Sequence, residues 1–315
     1  MPITASTPLM IAEAGRLLRD GRLVAFPTET VYGLGADATN DQAVARLYEA
    51  KGRPSFNPLI SHVVDAFAAF ALGEFPPDAK KLALLFWPGP LTLVVPRARN
   101  CPISLLASAG LPSIAVRVPD HPLALDLLEA LQRPIVAPSA NASGRISPTT
   151  AAHVRAGLGN KVSLVLDGGA CKVGVESTVV SFTGSHPKLL RPGGLAKSRI
   201  EAVLYHELDV ETDALQPHSP GQMESHYAPR ANLRLAATEP REGERYLGFG
   251  KHSFGPHTLS ARGDVVEAAA NLFRMLHELD ATGASAIAVA PIPMEGLGEA
   301  INDRLRRAAA PRPTA

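Results

Sequence analysis

The apolar positions of this chain change period repeatedly, laying out a succession of short strands and amphipathic helices. Ile11, Ala14, Leu17 and Leu18 recur at helical spacing behind Thr7-Pro8 and ahead of Gly21. That order predicts a helix capped by Thr, with Pro in its first turn and Gly just past its end. The unbroken run LVAF at 23–26 predicts a buried strand, stopped by Pro27 with the polar TET at its end. NDQAVARLYEA then predicts a helix, TLVVP and SIAVRVP strands, HPLALDLLEALQ a helix and PIVAP a strand. SLVLDGG, STVVSF and KLLRPGG follow as closely spaced strands with fewer helices between them. The expectation for residues 1–208 is an α/β domain on a mixed sheet, part parallel and part antiparallel.

Residues 209–230, DVETDALQPHSPGQMESHYAPR, lose this periodicity and carry three prolines, as a linker does. Beyond them, strand-like NLRLAA, YLGFG and AIAVAPIP alternate with helical DVVEAAANLFRMLHELDA and LGEAINDRLRRAAA. A second, small α/β unit over 231–315 is the expected result.

Composition narrows the function classes. With 46% hydrophobic and 19% charged residues, the 315-residue chain has the make-up of a globular protein with a sizeable core. A formal net charge of +1 excludes a global field toward nucleic acid or an anionic membrane, so any basic site must be local. Cys101 and Cys171 form no metal-ligand spacing, which argues against a disulfide framework or zinc ribbon and fits a reducing cytoplasm. Glu13, Arg16 and Arg19 interrupt the first segment, unlike a signal peptide, and no apolar run approaches the roughly 20 residues of a membrane span. A soluble protein is expected.

The segment KGRPSFNPLISH, 51–62, sets Lys51 and Arg53 between Pro54, Pro58 and a closing His62. It reads either as a solvated loop or as an anion site. Neither GxxxxGK[ST] nor GxGxxG occurs, and GGLAKS at 193–198 lacks the glycine before Lys197. Phosphates would therefore be held by side chains and short polar turns. PTETVYGLG, 27–35, offers Thr28 and Thr30 with Gly33 and Gly35 for close backbone approach. APSANASG, 137–144, places Ser139, Asn141 and Ser143 after a strand, where α/β sheets set ligand groups. VESTVV and RPGG add Ser177, Thr178 and Arg191. Singly, each is ordinary turn vocabulary.

Together, KGRP, SAN, PTETVYGLG, STVV and RPGG resemble the YrdC-like threonylcarbamoyl-AMP synthase family. SPGQMESHYAP and the small C-terminal unit resemble its long, two-domain form. The resemblance implies a twisted mixed sheet with a large concave pocket, followed by a small Rossmann-like domain. It implies a nucleotidyltransferase that makes L-threonylcarbamoyl-AMP and pyrophosphate from L-threonine, bicarbonate and ATP, with Mg2+ accompanying the ATP. The product would serve threonylcarbamoyladenosine formation in tRNAs reading codons that start with A. The implied partner is the tRNA threonylcarbamoyl-transferase complex that takes this product, with direct tRNA contact left open and no membrane involved.

Carried over by position, the family's nucleotide contacts fall on Arg53, Asn57, Ser113, Ser139, Ser147, Arg191 and Tyr227, with Lys51 and Asn141 completing its KxR and SxN motifs. Its threonine contacts fall on Thr30, His62, Arg117, Ala137 and Ser177. Lys51 and Arg53 are the implied catalytic pair facing the phosphates, Lys as a point charge and Arg as a fork of donors. Arg117 suits a carboxylate in the same way, and Ala137 offers only backbone or packing. The resemblance also has the linker, with Tyr227, folding over the mouth as a lid. No general base is assigned, His62 being explained equally by threonine binding. The rival readings are an RNA- or nucleotide-binding module without chemistry, and a related carbamoyl-transferring enzyme, whose zinc-finger segment two cysteines cannot build. His218, His226, His252 and His257 read as solvated or capping, Arg304, Arg306 and Arg307 as a solvated face, and Trp87 as core.

Overall fold

A computed structural model describes residues 7–210 and 226–311. The SPGQMES part of the expected linker and lid therefore lies outside the described residues. Helix α1 (Pro8–Arg19) forms as its pattern predicts, with Thr7 Oγ1 accepting from Met10 N and Gly21 at φ +71 beyond its end. The rest of the first unit runs β1 (Val24–Phe26), β2 (Gly33–Asp37), α2 (Asp41–Lys51), β3 (Ile60–His62), α3 (Ala66–Phe70) and α4 (Pro77–Phe86). It continues β4 (Leu91–Pro96), β5 (Ser113–Arg117), α5 (Pro122–Leu131), β6 (Ile135–Val136), α6 (Ala151–Leu158), β7 (Leu164–Val165), β8 (Thr178–Ser181), β9 (Lys188–Arg191), α7 (Lys197–Leu204) and β10 (Asp209–Val210).

These strands form one mixed sheet in the order β10-β9-β8-β4-β5-β3-β6-β2-β1-β7. The β1/β7, β3/β5, β4/β8 and β9/β10 pairs are parallel and the others antiparallel, as expected for this segment. The sheet takes in Asp209 and Val210, two residues assigned to the linker on sequence grounds. Gly33 and Gly35 lie in β2 and not in a turn. A Cβ on Gly35 would stand 2.9 Å from the Phe26 ring, and one on Gly33 would stand 3.1 Å from Ala137 Cβ. The glycines let strands and the 137 loop approach each other. Two registers set up the site. His62 sits beside Arg117 across β3/β5, and Ala137 is tied to β3 by its N–H on Ile60 O at 3.0 Å.

The second unit comprises β11 (Asn232–Arg234), β12 (Arg245–Leu247), α8 (Val265–Ala281), β13 (Ala286–Val289) and α9 (Gly298–Ala309), its parallel strands in the order β11-β13-β12. Its apolar core, built on Leu272, Phe273, Leu276, Ile287, Val289 and Ile301, also takes in Val31, Ile146, Val175 and Tyr227. The hydrophobic interior of the C-terminal unit thus runs into the loops of the first sheet. Gly174 sits at that seam with φ +76, where a Cβ would meet Ala269 O of α8 at 2.4 Å. Among the described residues, no helix is long and apolar enough to cross a membrane.

Candidate active site

A narrow cleft, about 40 Å³ in volume, opens where the ends of β3, β5 and β6 meet the segment before β8, the end of β9 and the 226–227 segment. Of the residues expected on sequence grounds, Thr30, Arg53, His62, Arg117, Ala137, Ser139, Ser177, Arg191 and Tyr227 line it together. Lys51, Asn57, Ser113, Asn141 and Ser147 stand outside that lining.

The KGRP segment is not a solvated loop. Lys51, at the C-terminal end of α2, is 3% exposed and Arg53 8%. The Lys51 ammonium donates to Ser139 O at 2.5 Å and to Asn141 O, so its first task is to clamp the SAN turn to α2. Burial, and then the neighbouring Arg53, push its pKa well below that of an ordinary lysine. Two of its three donors are committed, which departs from the expectation of a lysine simply facing phosphates. Arg53 donates from Nε to Asn57 O at 3.2 Å and from Nη2 to Pro58 O at 3.0 Å. Burial lowers its pKa to about 10, which leaves it cationic at neutral pH. Asn57 is fully buried, and neither its Oδ1 nor its Nδ2 has a hydrogen-bond partner among the described residues. A buried amide with nothing to bond is costly unless a ligand completes it. Ser113 opens β5, opposite Pro96 of β4. Asn141 Nδ2 closes its own turn on Ala142 O and Arg145 O, while its Oδ1 is buried without a partner.

On the other side, Arg117 Nη2 reaches Glu29 Oε1 at 2.7 Å and Thr30 Oγ1 at 3.0 Å, and its Nε reaches Gly89 O at 3.3 Å. Glu29 Oε2 in turn accepts from Asp120 N at 3.1 Å. Glu29 holds the guanidinium in place, a role the sequence reading missed. Burial, reinforced by Arg117, drives His62 down to about pKa 3, so its imidazole is neutral near pH 7. Ser177 Oγ lies 2.7 Å from Thr92 Oγ1 and accepts from Arg191 Nη2 at 3.1 Å, while Arg191 Nε and Nη2 both hold Ser177 O.

The back wall carries residues that sequence reasoning set aside. Glu176 lines the cleft, accepting from Ser147 Oγ at 2.5 Å on one oxygen and from Arg304 Nε at 2.7 Å on the other. Burial raises its pKa, but Arg304 and Arg191 outweigh that and hold the carboxyl at about 2. Arg304 is not on a solvated face: it is fully buried on α9, its Nη1 on Asp303 Oδ2 at 2.5 Å. Its spacing from Ala300, Ile301 and Ala308 places it on the apolar face of α9, a signal available in the sequence. His226, expected to be solvated or capping, is 6% exposed and lines the cleft. Tyr227 takes φ +65, and its ring stacks on Phe273, 5.5 Å away, and has the Arg304 guanidinium over it at 5.1 Å. Trp87 packs as expected, Nε1 on Leu91 O at 2.7 Å.

Arg53, Arg117 and Arg191 around one cleft suit ligands bearing phosphate and carboxylate. Among the described residues no group of three or more His, Cys, Asp or Glu is placed to hold a metal, and Glu29 and Glu176 are both engaged by arginines.

The Sua5/YciO/YrdC family model, described as "Telomere recombination", matches residues 16–193, and the threonylcarbamoyl-AMP synthase C-terminal domain matches residues 195–310. The chain is 42% identical to threonylcarbamoyl-AMP synthase of Pyrococcus abyssi, covering 94% of this chain and 92% of that protein. It is also 42% identical to the Bacillus subtilis enzyme of that name, covering 96% and 93%. The crystal structure of P. abyssi Sua5 complexed with L-threonine superposes with a TM-score of 0.89 at 40% identity, over 97% of this chain and 96% of that one. The chain belongs to the Sua5/YciO/YrdC family, in the long form that carries the Sua5 C-terminal domain.

Proposed function

We infer that the chain is an L-threonylcarbamoyl-AMP synthase: it joins L-threonine, bicarbonate and ATP into L-threonylcarbamoyl-AMP and releases pyrophosphate. The observation that carries this reading is one cleft with two differently furnished halves. Arg53 and Arg191, with the orphaned Asn57 amide behind them, suit a nucleotide. Arg117, Thr30 and Ser177 suit a small hydroxy amino acid. Curated relatives of near full coverage bear the synthase name, and the P. abyssi relative binds L-threonine.

Arg117 commits Nη2 and Nε to protein acceptors, leaving Nη1 for the threonine carboxylate. Thr30 and Ser177 hydroxyls serve the substrate's polar groups. Threonine's amine adds to the carbon of bicarbonate with loss of water, giving a carbamate. A carbamate oxygen then attacks the α-phosphorus in line: the new O–P bond forms as the bond to pyrophosphate breaks, and pyrophosphate keeps the electron pair. Arg53 and Arg191, already in place, offset the growing negative charge. Magnesium arrives on ATP as part of the substrate. Lys51 acts chiefly by holding the Ser139–Asn141 turn, and a neutral His62 with pKa near 3 is too weak a base to drive the carbamate step. As a nucleotidyltransferase of the cytoplasm, the chain supplies its labile mixed anhydride to the tRNA threonylcarbamoyl-transferase complex, for threonylcarbamoyladenosine in tRNAs reading codons that start with A.

The test is pyrophosphate release from magnesium-ATP with threonine or bicarbonate omitted in turn. Release that requires both supports the synthase. ATP binding without such release would overturn it in favour of a nucleotide-binding module.

A further inference from the structure

Arg304 belongs to the C-terminal unit, yet its guanidinium ends in the wall of the cleft formed by the first unit. It is fully buried. Its Nε donates to Glu176 Oε2 at 2.7 Å, and Glu176 Oε1 accepts from Ser147 Oγ at 2.5 Å, so one carboxylate joins α9 to Ser147. Its guanidinium carbon lies 5.1 Å from the centre of the Tyr227 ring, which Phe273 of α8 backs from 5.5 Å. Asp303 orients the group through Nη1 and is itself held by Arg307 Nε at 3.0 Å. Arg307 O accepts from His226 N at 3.1 Å, so the same turn of α9 also pins the backbone next to Tyr227.

We propose that Arg304 is a positioning residue for the nucleotide half of the site, through which the C-terminal unit sets the place of Glu176, Ser147 and Tyr227. Geometry supports this over a merely structural ion pair. Among the described residues, the hydrogen bond and the cation–ring contact that Arg304 makes outside its own helix both end on residues that line the cleft, Glu176 and Tyr227. Glu176 places the Ser147 hydroxyl, and the Tyr227 ring is held by the cation at 5.1 Å and stacked on Phe273 at 5.5 Å. Contacts to the threonine half run through other groups: Arg117 is oriented by Glu29, Thr30 and Gly89, with no partner from α8 or α9. Loss of Arg304 should therefore be felt by ATP and not by threonine. The inference rests on the reading of the site above.

The experiment compares the wild-type protein with Arg304→Met, Arg304→Lys and the double variant Arg304→Met with Glu176→Gln. Melting temperature, ATP affinity by calorimetry, and KM for each substrate in pyrophosphate release are measured for all four. The double variant removes both charges of the pair, so a folded protein without Arg304 remains available if Arg304→Met alone does not fold. The expected result is a rise of at least about tenfold in the ATP dissociation constant and ATP KM for Arg304→Met and the double variant, one decade being about 1.4 kcal/mol. Threonine KM should stay within about twofold, and Arg304→Lys should restore part of the loss because it keeps the charge without the fork. Unchanged ATP affinity in a folded variant lacking Arg304 would overturn the proposal, as would ATP and threonine KM rising in step. Wild-type ATP binding without threonine-dependent release would overturn the synthase reading instead. The calorimetric arm would still decide whether Arg304 positions the nucleotide half.

Discussion

Acidification from pH 7.5 to 5.5 should destabilise this protein through two histidines in the wall of the cleft. His62 and His226 are 2% and 6% exposed, and both have a pKa lowered to about 3, with burial the largest cause. Arg117 adds to the shift at His62, whereas at His226 Glu176 opposes it and Arg53 supports it. In the unfolded chain each returns to about 6.5. A depressed folded pKa gives a contribution that is present above pH 6.5 and lost as pH falls toward 3, because the unfolded chain takes up protons the folded one refuses. At pH 5.5 each unfolded imidazole is about nine-tenths protonated and each folded one is not, a difference of about 1.4 kcal/mol per histidine. The pair therefore loses about 3 kcal/mol over two pH units, a sizeable part of a total stability of about 5–15 kcal/mol. Glu176 does not confuse the window, since its carboxyl, at about 2 in the folded state, loses its contribution only below its unfolded value of 4.5. His153, lowered by burial to about 4, and His121 and His277, also lowered by burial, add a fall common to both proteins compared below, so the difference between them reads the cleft pair. The assay is urea unfolding at pH 7.5, 6.5 and 5.5 for the wild type and for His62→Gln with His226→Gln, which removes both titrations. A wild-type curve flat over this range, or an equal fall in the double variant, would refute the reasoning.

Three further outcomes follow from named contacts. Lys51→Met removes donors from the buried Ser139 and Asn141 carbonyls, and should cost about 3 kcal/mol and roughly 6–12 °C of melting temperature while weakening ATP binding. An unchanged melting temperature would refute the clamp. Arg117→Lys keeps a charge beside Glu29 but loses the planar fork, so threonine KM should rise about tenfold or more while ATP KM holds. Equal rises in both would contradict the division of the cleft. Gly174→Ala forces a Cβ to 2.4 Å from Ala269 O at φ +76, and should cost about 3 kcal/mol and speed proteolytic cutting between the two units. Wild-type resistance would show that the seam yields easily.

Long apolar runs made much of the fold legible. LTLVV and SIAVR became β4 and β5, and the capped pattern behind Thr7 became α1. β2 and β3 escaped because their sequences, GLGAD and ISH, carry glycines and polar groups where a half-buried strand would show alternation. They are buried on both faces, with Asp37 accepting from Thr39 and Arg133 and His62 lining the cleft. At the site, the residue types in the polar turns were readable, and the family resemblance said which turns meet. What it did not say was who holds them: Arg117 finds Glu29 across 88 positions and Arg304 finds Glu176 across 128. Pairings that distant leave no periodic trace.

That distance also bears on what the C-terminal unit does. By sequence the two family matches meet between residues 193 and 195, as if separate modules were joined there. The packing does not break at that point, since Val31, Ile146, Val175 and Tyr227 are buried in one cluster with Phe273, Leu276 and Ile301. Val31 follows Thr30, Ile146 precedes Ser147, and Val175 precedes Glu176 and Ser177, so each apolar anchor sits within two residues of a polar group of the cleft or its wall. An anchor one or two residues from a functional side chain fixes the backbone from which that side chain projects. The core of the second unit is thus the support for polar groups of the first. A cleft deprived of that core would keep the placement of Arg117, which rests on Glu29, Gly89 and β5, but lose that of Ser147, Glu176 and Tyr227 and the backing that Val31 and Val175 give Thr30 and Ser177.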